Sequence, residues 1–150
     1  LWTLGHLESK QVAGVVSISA VGDPRIDHQV NPKRYRKLFG RDPDTKDLAS
    51  MDSLALIKSG MPSLLCTHAD GDMVVPVASH KAYAEAYRKA GNDVSFFEYS
   101  SECLPGLTGH CMWRPMVKPN KLVPCLEERI VQFVQRGGEM KCTRMRREGE

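Results

Sequence analysis

Residues 62–76 read Pro-Ser-Leu-Leu-Cys-Thr-His-Ala-Asp-Gly-Asp-Met-Val-Val-Pro. Pro62 to His68 is short and apolar in both registers, the pattern of a strand covered on both faces. It runs straight into Ala69-Asp70-Gly71-Asp72, residue types that tolerate a tight turn. Beyond the turn, Val77 to Ala90 places Ala82, Tyr83, Ala86, Tyr87 and Ala90 on one helical stripe, and Gly91 supplies the stop. Val94 to Tyr99 (VSFFEY) then reads as another strand. Two strands joined through a helix make a parallel pair.

The flanks extend this pattern. Val12 to Ser19 (VAGVVSIS) is a β-branched run closed by Gly22-Asp23-Pro24. Residues 23–31 read as a loop. Asn31-Pro32 opens a helix through Phe39, stopped by Gly40. Residues 41–45 read as a loop, and Ser53 to Ser59 as a turn or two of helix. Residues 100–120 form a long loop with three Pro and two Gly, and loops this long are often functional. Lys121 to Gln135 is the last helix, expected to turn Leu122, Cys125, Leu126, Ile130, Phe133 and Val134 inward. Gly137-Gly138 breaks it, and residues 138–150 read as a charged, frayed tail. The alternation predicts an α/β fold with a parallel sheet of about three strands and three to four helices over residues 1–137. A sheet so small leaves an apolar edge at residues 12–19, which predicts self-association there.

Composition narrows the classes. The chain has 150 residues, of which 41% are hydrophobic and 26% charged, the profile of one ordinary globular domain. No apolar run is long enough for a membrane helix. A net charge of +3 gives no reason to expect nucleic acid. Five cysteines, an odd number without zinc spacing, point to free thiols and lean toward a reducing, cytoplasmic setting. Leu1 to Gly5 has no signal-peptide pattern, and the start without Met suggests a fragment.

In open parallel sheets ligands bind at the carboxyl ends of strands. Three loops lie there: one with Ser19, Asp23 and Asp27, one with Asp70 and Asp72, and one with His110. An Asp after one strand can accept the Nδ1–H of a His after the next and hold the tautomer a general base needs. His68 is expected to close its strand and pack, and His80 to be solvated on its helix. Ser19 ends a strand but lacks the helix and oxyanion donors of a nucleophile.

The segment 62–76 followed by Ser79 resembles the acid-residue segment of the α/β-hydrolase superfamily. There the catalytic Asp precedes a Val-Pro pair by a fixed step, which Asp72 matches and Asp70 does not. Gly109-His110 is similar to that family's catalytic His, and residues 12–19 resemble the strand after the nucleophile helix. The resemblance spans roughly residues 5–135 and implies a partial α/β-hydrolase domain over 1–137, of the small-esterase or peptidase-like acyl-hydrolase type. It implies Asp72 and His110 as catalytic residues, a small-molecule ester or peptide substrate, no cofactor and no metal.

The family's G-x-S-x-G nucleophile motif does not occur. Its nearest echo, Leu1-Trp2-Thr3-Leu4-Gly5, offers Trp2 or Thr3 where Ser belongs. The expected protein is therefore the Asp/His half of an acyl hydrolase, inactive as it stands. The alternative is a non-catalytic, hydrolase-like binding module. A metal-dependent hydrolase drawing on His68, Asp70, Asp72 and His110 is a third, weaker reading, because their spacing matches no established ligand pattern.

Overall fold

A computed structural model of the chain describes residues 12–99 and 124–138. The elements are β1 (Gly14–Ile18), α1 (Pro24–Val30), α2 (Pro32–Phe39), α3 (Thr45–Ser50), a 3-10 turn (Ser53–Leu56), β2 (Ser63–Ala69), α4 (Val77–Lys89), β3 (Val94–Tyr99) and α5 (Pro124–Gln135). The three strands form one parallel sheet in the order β1-β2-β3. Val15 stands opposite Leu64, Ser17 opposite Cys66, and His68 opposite Glu98. The expected α/β architecture is present.

The lack of alternation in β2 has a direct cause. Its side chains point alternately to two faces, and both are covered. On one face Leu64 and Cys66 pack with Met61 and with Tyr83, Ala84 and Tyr87 of α4. On the other, Ala69 packs with Tyr99 and with Leu126 of α5. From Leu64 to Ala69 every residue of β2 is buried. Helix α4 ends as its sequence predicts. Gly91 adopts φ +81° and donates to Arg88, and the Asn92 N–H reaches the Tyr87 carbonyl, the paired bonds that close a helix on glycine.

Three local expectations are corrected, and a further helix, α3, occupies a stretch in which only Thr45 carried an expectation, that of a loop. Residues 24–30, read as a loop, form α1, because Asp23 caps the Arg25 N–H at 2.9 Å and Pro24 fits the first turn. Residues 45–50 form α3, opened by a reciprocal capping box between Asp44 and Asp47. His80, expected in solvent, is fully buried, because the inward face of α4 runs through Ser79, His80, Tyr83, Ala84 and Tyr87. Val134, expected inside, is 65% exposed, while Leu126 and Phe133 face the core. Among the described residues no helix is long and apolar enough to cross a membrane.

Candidate active site

The turn after β2 holds Asp72. Its Oδ1 accepts the N–H groups of Val74 at 2.8 Å and Val75 at 2.9 Å. Its Oδ2 lies 3.2 Å from His68 Nε2, and neither side chain is accessible to solvent. A carboxylate oxygen that takes two backbone N–H groups is fixed in one rotamer. Asp70, two residues earlier, is exposed on the same turn, and its N–H donates to the Tyr99 carbonyl at 3.0 Å. His110 lies outside the described residues, as do Trp2 and Thr3.

The Asp72 turn is braced from the α1–α2 corner. Asn31 Nδ2 donates to the Val74 carbonyl at 3.0 Å, and Arg34 Nη2 donates to the same oxygen. Both are held in turn by Asp27, which is fully buried and accepts from Asn31 at 3.0 Å and from Arg34 Nη1 at 2.9 Å. Asp27 lies in α1, Arg34 in α2 and Asn31 at the non-helical junction between them, so the corner brings the three together. The distant carbonyl they serve could not be read from the sequence. A second brace joins α4 to the loop after β1. Ser79 Oγ accepts the N–H groups of Gly22 at 3.1 Å and Asp23 at 2.9 Å, and donates to the Asp23 carbonyl at 2.8 Å.

Ser19 sits at the carboxyl end of β1 with φ +45°, a left-handed backbone that costs a non-glycine residue energy. Its hydroxyl and that of Tyr99 are buried next to each other, and among the described residues neither has another hydrogen-bond partner. Burial pushes the Tyr99 hydroxyl up to about 12; Asp72 adds to the rise and the nearby Ser19 hydroxyl opposes it.

Behind Asp72 lies a serine–histidine contact that sequence reading missed: Ser17 Oγ is 3.0 Å from His80 Nε2. It has the shape of a nucleophile–base pair without the access or the basicity. Ser17 is 7% exposed in the body of β1. Burial, and next the adjoining His68, push the His80 imidazole down to about 3, far below the range that suits a general base at neutral pH. Among the described residues no group of three or more His, Cys, Asp and Glu side chains is arranged to hold a metal ion.

No family model matches the sequence, and no curated protein is similar to it. Solved structures are. A bifunctional GH43-CE protein of Bacteroides eggerthii superposes with a TM-score of 0.58 at 23% identity, covering 84% of this chain and 17% of that one. Esterase 2 of Thermogutta terrifontis, phosphoramylated by tabun, superposes with a TM-score of 0.54 at 20% identity, covering 89% of this chain and 45% of that one. The propionate-bound form of that esterase gives 0.50 at 20% identity, with coverages of 86% and 44%. The chain shares the fold of these segments. At these identities the likeness is one of fold, and the chain spans less than half the length of each of these neighbours.

Proposed function

We infer that the chain carries the acid–base half of a serine acyl hydrolase of the α/β-hydrolase type, acting on a carboxylic ester or a peptide-like acyl bond. Asp72 would accept the Nδ1–H of His110, and His110 would take the proton of a serine hydroxyl and return it to the leaving group. The observation that carries this reading is the setting of Asp72. It is a solvent-inaccessible carboxylate at the carboxyl end of a parallel strand, held by two backbone N–H groups with His68 in contact at 3.2 Å. Such a carboxylate is suited to orienting an imidazole rather than to moving a proton itself.

With no G-x-S-x-G in residues 1–150, the attacking serine and the oxyanion donors would come from outside this stretch. The chain alone is then expected not to turn over p-nitrophenyl acetate. That same absence favours a second reading, a binding module that retains the fold without the reaction.

Titration of His110 by NMR in the full chain separates the two. A carboxylate in contact with an imidazole raises its pKa, so Asp72→Asn should lower that of His110 by about one unit or more. An unchanged His110 titration would overturn the acid–base reading and leave the binding one.

A further inference from the structure

The Ser17–His80 contact continues inward. His80 Nδ1 lies 3.0 Å from His68 Nδ1, and His68 Nε2 lies 3.0 Å from the Val75 carbonyl and 3.2 Å from Asp72 Oδ2. Four side chains from β1, α4, β2 and the acid turn thus form one buried line. Ser17, His68 and Ser79 are buried on β1, β2 and α4, and the aromatic edge of Phe96 closes on His80 at 5.4 Å.

Elementary hydrogen-bond chemistry gives the line a direction. A carbonyl oxygen only accepts, so His68 Nε2 carries a proton and donates it to the Val75 carbonyl, with Asp72 Oδ2 in contact with the same nitrogen at 3.2 Å. In neutral His68 the Nδ1 is then an acceptor. His80 Nδ1 must therefore donate to it, which leaves His80 Nε2 as the acceptor of the Ser17 hydroxyl. Every donor and acceptor along the line is matched. If His68 were instead doubly protonated, His80 would have to reverse its tautomer and donate to Ser17 Oγ. Among the described residues the Ser17 hydroxyl proton would then have no side-chain acceptor, since His80 is the partner found there for Ser17 Oγ. The formal charges flanking the line on neighbouring elements, Lys81 of α4 and Glu98 of β3, neutralise one another at 2.7 Å. Cys66 and Tyr83, on the same face, are uncharged, their acidities suppressed first of all by burial.

We propose that Ser17, His80 and His68 form a one-way hydrogen-bond relay that ends on the Val75 carbonyl and holds the His68 Nε2–H against the Asp72 carboxylate, making His68 a positioning residue for the acid of the proposed reaction. The role assigned to Asp72 rests on the proposed function; the direction of the relay does not.

Imidazole nitrogen-15 shifts of the full chain at neutral pH test the direction. The expected result is His80 protonated on Nδ1, His68 protonated on Nε2, and both neutral. A doubly protonated His68, or His80 protonated on Nε2, overturns the relay. The positioning role is read from the His110 titration. His68→Leu should move it most of the way to the value of Asp72→Asn, and His68→Gln, whose amide keeps a donor near the Nε2 position, should restore it. If Asp72→Asn shifts His110 and His68→Leu does not, the positioning role fails alone. If Asp72→Asn has no effect, the proposed function fails, and the two tautomers still decide the relay. Should His68→Leu not fold, His68→Gln against wild type, with the wild-type tautomers, carries the test: a His110 titration displaced to the Asp72→Asn value in His68→Gln contradicts the role.

Discussion

Arg34 meets the fully buried carboxylate of Asp27 at 2.9 Å and also donates to the backbone carbonyl of Val74, two residues beyond Asp72. One guanidinium therefore balances an interior charge and pins the turn that carries Asp72. A planar fork with several donors can serve both acceptors, whereas a lysine ammonium on a flexible stem reaches one.

Removing the cation leaves Asp27 with Asn31 at 3.0 Å and the neighbouring Tyr35 hydroxyl. Arg34→Ala should cost about 2–3 kcal/mol, between the worth of a hydrogen bond to a charged group and the loss from breaking a fully buried pair. Arg34→Lys should recover part of it. Pairing Arg34→Ala with Asp27→Asn should cost less than the sum of the two single changes. Urea unfolding of the four proteins measures this. A loss below about 0.5 kcal/mol for Arg34→Ala, the usual size of a surface change, would show that the clamp contributes nothing.

The buried His80 gives stability a pH dependence whose sign is fixed. Burial, then the adjoining His68, lowers its pKa to about 3 from an ordinary 6.5. Between those values the unfolded chain binds a proton that the folded chain refuses, so stability falls as the pH is lowered through this window. From about pH 6 to pH 4 the His80 share of the loss is roughly 2 kcal/mol. His80→Asn, which cannot titrate, should unfold with a correspondingly shallower acid dependence, while carboxylate contributions cancel in the comparison. Equal slopes for the two proteins would contradict a neutral buried His80.

Gly22 stands where the loop after β1 meets α4. A Cβ placed there would lie 2.4 Å from the Ser79 carbonyl oxygen and 2.6 Å from Tyr83 Cβ. The first is backbone and cannot swing aside, so Gly22→Ala must push the loop off the helix and strain the Ser79 hydrogen bonds to Gly22 and Asp23. A loss of about 1–3 kcal/mol is expected, as for other overpacked sites, read as a lower midpoint in thermal or urea unfolding. An unchanged midpoint would mean that this approach is not close.

The central part of the fold was legible because its signals are local and strong. β2 reads as a doubly covered strand, Gly91 as a helix stop, and the Asp-Gly-Asp turn falls where a parallel strand must end. The errors also have local causes. α1 and α3 were hidden in polar, proline-containing stretches, where an aspartate cap is easily read as turn chemistry. His80 was assigned to solvent on residue type, although it stands three residues before Tyr83 on the buried face of α4, a position its spacing already marked. Asp72 could be picked out by its step to Val75-Pro76. Its supports could not. The Ser17 hydroxyl, the Val75 carbonyl and Arg34 come together only through strand register and loop path, and no short-range pattern encodes either.

The central claim is that Asp72 orients His110. Its most direct test is the distance between an Asp72 carboxylate oxygen and His110 Nδ1 in a crystal structure with residues 100–123 in clear density. The account predicts hydrogen-bond contact, about 2.6–3.2 Å. A His110 ring ordered well beyond that reach, with Asp72 still bound to the Val74 and Val75 N–H groups, would contradict it.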